Sequence, residues 1–221
     1  MTRTTRTLMR TATIVTAFCL TGAGQTGAAV QDTHENHIHE HDTHEQVGSE
    51  APQVATAIIG GTEAQHAMAE WALARFDEAD LPLPSMTIEF HTDKADCNGY
   101  LGYYSRSDKQ LDVCNQGSPR TEPIHTILHE LAHAWSFEYL PKDIVEAFTE
   151  DRGLDAWHDA DARWWQQGQE QAAEVVAWGL MNEAEPFNSI WVIGEECERL
   201  SEAFAYLTGV DPLHASSHSC Q

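Results

Sequence analysis

One predicted helix constrains this chain more than any other segment. Between Thr121 and Pro141, Ile124, Ile127, Leu128, Leu131 and Trp135 recur at three- and four-residue intervals, the spacing of a helix with one buried stripe. Thr121 suits an N-cap, Pro123 is tolerated in the first turn, and Pro141 stops the run. The same helix carries His129-Glu130-Leu131-Ala132-His133. Residues four apart lie one turn apart on nearly the same face. Both imidazoles can therefore meet one ion while Glu130 stands beside them, the HExxH arrangement of zinc sites in which a glutamate works on a water. The apolar stripe faces elsewhere, so the two histidines are expected to point into a cleft.

A catalytic zinc takes three protein ligands and keeps one position for water. The third ligand must come from another segment, and Gln169 to Leu180 offers one. There Glu170 and Glu174 lie one turn apart within a small, apolar run. Two acids on one half-buried face need a cation nearby. One carboxylate can bind it and the other accept an imidazole N–H, and the spacing leaves open which does which.

HExxH followed by ExxxE resembles the gluzincin group of zinc metallopeptidases, the thermolysin type. The resemblance spans about Met86 to Leu180, and a short Tyr/Gly-rich hairpin ahead of the His129 helix is similar to that of small, minimal gluzincins. It implies an α+β, zincin-like fold, with a small, mostly antiparallel sheet lying over the His129–His133 helix and further helices filling the rest. It also implies Zn2+ held by His129, His133 and Glu170, Glu174 orienting a histidine, and Glu130 as general base in peptide hydrolysis. This chain has Glu174 where Asp is more usual, and its gap after His133 is longer than in thermolysin. An oxyanion donor is expected as well. Tyr103, Tyr104, Tyr139 and His158 are candidates, and nothing in the sequence chooses among them.

The rest of the chain sets the context. Residues 1–29 read as a signal peptide: Arg3, Arg6 and Arg10, a short apolar run from Ala12 to Gly24, then Gly27, Ala28 and Ala29 as a cleavage region. Residues 30–56 read as a disordered linker with His34, His37, His39, His41 and His44 among acids, either a weak metal-capturing tail or a solvated spacer. Residues 57–221 form the expected domain. Without the leader, Cys97, Cys114, Cys197 and Cys220 remain, and an even count in an exported chain suggests two disulfides. Cys97 and Cys114 flank the hairpin and are paired on that ground, leaving Cys197 with Cys220. The formal net charge of −23 argues against nucleic acid and anionic membrane surfaces as partners. A peptide or protein substrate, no membrane insertion once the signal is removed, and a monomer are expected.

Further elements follow from pattern. A helix capped by Thr62 and stopped by Pro82 and Pro84, a strand over Met86 to His91, strands around Tyr100–Tyr104 and Gln110–Cys114, and helices over 142–152, 162–182 and 194–207 are predicted. Two other functions compete with peptide hydrolysis. One is a zinc-dependent amidase or esterase acting on a non-peptide substrate. The other is a non-catalytic metal-binding protein that works through its His tract.

Overall fold

A computed structural model describes residues 56–114, 121–181 and 197–213. The expected signal peptide, the His tract and Cys220 lie outside the described residues.

The fold is mixed α+β. In chain order it comprises β1 (Ala57–Gly60), α1 (Glu63–Glu78), β2 (Thr87–Phe90), β3 (Gly102–Ser105), β4 (Gln110–Val113), α2 (Thr121–Tyr139), α3 (Lys142–Asp151), α4 (Gly168–Leu180) and α5 (Cys197–Thr208). Short 3-10 turns lie at Lys94–Cys97 and Trp164–Gln166. None of these helices is long and apolar enough to cross a membrane.

The sheet order is β1-β2-β4-β3, with β1–β2 and β2–β4 parallel and only β3–β4 antiparallel. This corrects the expectation of a mostly antiparallel sheet. The reason is β1, a four-residue, largely exposed strand with no alternation to betray it. It pairs with β2 across the α1 crossover, as parallel strands must. The β3–β4 hairpin then enters with β4 inward, which leaves β3 at the edge.

Alternation along β2, β3 and β4 buries one sheet face, where Ile88, Phe90, Tyr104, Leu111 and Val113 are at most 5% exposed. Against this layer packs α2, whose Ile124, Ile127, Leu128 and Leu131 are fully buried. Each contributes about 1.5–3 kcal/mol by leaving water. On its other flank α2 packs against α4, and α5 packs against α4. Gly179 makes that last approach feasible, since a Cβ there would overlap the Phe204 ring.

Local chemistry explains most element boundaries. Thr62 and Gln65 form a reciprocal capping box at the start of α1. This helix ends at Glu78, with Asp80 in the left-handed region at φ 55°, so the turn precedes the prolines expected to stop it. The disulfide Cys97–Cys114 ties the 3-10 turn to the end of β4, a closure worth on the order of 3 kcal/mol. Cys197 is disulfide-bonded too. The helix expected from Ala162 begins only at Gly168. The preceding loop turns back, and Gly168 and Gln169 donate to the carbonyls of Ala156 and Trp157. A side chain at Gly168 would meet Trp157 at 2.9 Å.

Candidate metal centre

The centre lies where α2 faces α4. Both helices are buried on nearly every side, so the polar groups between them have left water. His129, Glu130 and His133 are 6–9% exposed, Glu170 is 8% and Glu174 is 2%. The two histidines expected to point into a cleft are buried. Trp164 lies 5.7 Å from the His129 ring, and Phe137 stacks on His133 at 5.9 Å. Gln171 brings Trp164 in, because its amide donates to the Trp165 carbonyl at 3.0 Å while its oxygen accepts from Arg152.

Burying two carboxylates is costly unless each finds partners. Glu170 and Glu174 find the same kind of partner in different ways. For Glu170, one oxygen, Oε2, lies 3.2 Å from His129 Nε2 and 3.3 Å from His133 Nε2, and the two nitrogens are 3.1 Å apart. Three potential ligand atoms thus form a nearly equilateral triangle. The other oxygen of Glu170 accepts from Gln169. For Glu174 the two oxygens part: Oε2 takes His125 Nε2 at 3.0 Å, and Oε1 faces His129 Nδ1 at 3.1 Å. That second contact is a close ion-pair approach and does not meet hydrogen-bond geometry.

The donor set fits a cation. A tetrahedral ion with bonds of about 2.0–2.1 Å holds its ligand atoms about 3.3–3.4 Å apart. The triangle has sides of 3.1 to 3.3 Å. Three lone-pair-bearing atoms this close repel each other unless a proton or a metal ion lies among them. Two groups, His129–His133–Glu170 and His125–His129–Glu174, have the composition and closeness to hold a metal ion.

Electrostatics follow from the same contacts. Burial alone pushes the His129 imidazole down, but Glu170, Glu174 and Glu130 around it win and hold it well above its ordinary value. Burial pushes both carboxylates up, yet the histidines hold Glu170 far below the carboxylate range and Glu174 at about 2.

Glu130 follows His129 in sequence, and its charge acts on that imidazole. Its Oε2 accepts the Tyr104 backbone N–H at 3.0 Å. Cys114 N–H donates to Leu101, so alternation along β3 turns the polar groups of Gly102 and Tyr104 away from β4, towards α2. Gly102 permits the approach, since a Cβ there would come within 2.5 Å of Thr126 and 3.0 Å of Glu130.

Every residue expected at the metal, His129, His133, Glu170 and Glu174, lies in this one cluster, with Glu130 beside it. Of the expected oxyanion donors, Tyr104 reaches it through its backbone N–H, and burial pushes its phenol up. Tyr103 and Tyr139 are more than 40% exposed and His158 is exposed as well. His125 was not anticipated, although its position four residues before His129 is a readable signal. Comparison with known proteins finds no family model, no curated protein and no solved structure that matches this chain.

Proposed function

We propose that this chain is an exported zinc metallohydrolase that cleaves peptide bonds. One observation carries the reading: His129 Nε2, His133 Nε2 and Glu170 Oε2 converge within 3.3 Å of one another, with a carboxylate beside them. Two imidazoles and one carboxylate are the protein ligands of a catalytic zinc that keeps a position open. Glu174 has its two oxygens on two different imidazoles, which suits an acceptor that fixes ring orientation rather than a ligand.

When bound, the ion acidifies water and polarises a carbonyl. Glu130 takes the proton of the attacking water and returns it to the departing amine. The Tyr104 amide holds that carboxylate in place through one oxygen. An edge strand whose polar groups turn towards Glu130 is the kind of element along which an extended peptide aligns. The N-terminal basic and apolar residues support export, and the acidic charge supports a soluble partner.

Glu130→Gln tests the reading. Cleavage of a mixed peptide library, followed by mass spectrometry, is expected to fall roughly 10³-fold while bound zinc stays unchanged. Cleavage that persists in this variant overturns the role of Glu130. Intact peptides alongside hydrolysed simple amides or esters favour a non-peptide substrate.

A further inference from the structure

We propose that His125 is a positioning residue of the metal centre, holding Glu174 so that Glu174 holds His129. The inference rests on the reading that His129, His133 and Glu170 bind the ion, and it adds a residue outside that set.

His125 lies one helical turn before His129 on α2, with its ring centroid 6.0 Å from that of His129. Its Nε2 is 3.0 Å from Glu174 Oε2, and the other Glu174 oxygen is 3.1 Å from His129 Nδ1. His125 supplies the hydrogen bond that fixes Glu174 at one oxygen, and without it the carboxylate can turn about its Cγ–Cδ bond, a soft torsion, and carry the other oxygen away from His129. Glu174 comes from the middle of buried α4 and is 2% exposed, so water is a poor substitute for either partner.

Ring orientation at His129 is the quantity at stake. Only when Nδ1 faces Glu174 does Nε2 face Glu170 Oε2 and His133 Nε2. Trp164 limits tilting of the ring but offers it no acceptor in this contact. The chain of contacts therefore runs from His125 through Glu174 and His129 to the ligand triangle. The alternative role for His125 is ligand of a second ion shared with Glu174 and His129 Nδ1, a group close enough for that. The two imidazoles lie on different oxygens of Glu174, the arrangement of a carboxylate bridging two rings.

Zinc affinity of the full-length chain, measured by competition with a chromophoric chelator, tests this. The chelator also strips weak sites in the His tract. His125→Ala is expected to weaken zinc binding about 10- to 100-fold without changing the tight stoichiometry. His125→Gln, which keeps an N–H donor for Glu174, is expected to recover most of it. In a Glu174→Ala background, His125→Ala is expected to cost nothing further, because its partner is gone. A general packing defect would persist in that background and would not be relieved by Gln, so either result overturns the proposal. An unchanged affinity in His125→Ala overturns it as well, and loss of a second equivalent of zinc would make His125 a ligand instead. Tight zinc that survives His129→Ala overturns the underlying metal site, a failure distinct from the others.

Discussion

Among the described residues, two regions gather histidine and carboxylates, and they differ in how their polar atoms are partnered. Between α2 and α4, two imidazole nitrogens and one carboxylate oxygen face one another at 3.1 to 3.3 Å. On the outer sheet face, Glu89, His91 and Asp112 also lie close enough to share an ion. There the Gln110 amide sits among them, donating to Asp112 at 2.7 Å and to Glu89 at 3.1 Å, while His91 Nε2 takes the same Asp112 oxygen at 2.7 Å. Glu89 and Asp112 are directly paired in the parallel ladder, an arrangement of like charges that calls for a donor between them. Gln110 and His91 supply it. The lesson is that residue types do not make a metal site. Two imidazole nitrogens and a carboxylate oxygen converging on one another suit a cation, whereas carboxylates converging on amide N–H groups are already satisfied.

The largest effect that sharpens this contrast is on zinc affinity. Glu170→Gln should weaken tight zinc binding by roughly 10²-fold or more, since a charged ligand is lost. Asp112→Asn, in the other cluster, should leave it within about twofold, because only hydrogen bonds on the outer sheet face change. Chelator competition on both variants reads the difference directly. Equal losses would erase the distinction.

A smaller effect concerns pH. In the metal-free chain His129 is raised above 6.5, so its stabilising contribution is full below that value and fades as pH rises through the folded-state pKa. Glu170 and Glu174 are lowered from 4.5, so theirs is full above that value and fades as pH falls, for Glu174 through about 2. The buried cluster therefore stabilises the metal-free chain most between 4.5 and 6.5. Zinc needs the imidazole deprotonated, so the zinc-dependent rise in Tm should grow from about pH 6 to about pH 8. Melting with and without a chelator across that range checks the sign.

How far the sequence foreshadowed this contrast depends on the range of the interactions involved. The histidine pair at His129 and His133 and the acid pair at Glu170 and Glu174 were legible because a helical turn repeats every few residues. Likewise, Thr62 with Gln65 is a local cap, and Cys97 and Cys114 flank a local hairpin. The parallel pairing of Ala57–Gly60 was not legible, because a short exposed strand carries no alternation. Nor was the start of α4, which is set by contacts with Ala156 and Trp157. Closure over His129 depends on Trp164, positioned through Gln171. His125 stood in plain view one turn before His129, but its purpose depends on Glu174, 49 residues away. Local periodicity announces which residues share a helix face; which residues they meet is set by tertiary packing.

The most direct measurement is zinc per full-length chain after dialysis against a competing chelator, for the wild type and for His129→Ala. One tightly held zinc in the wild type and none in the variant is the predicted result. The same tight zinc in both, or none in either, would contradict a metal centre between α2 and α4.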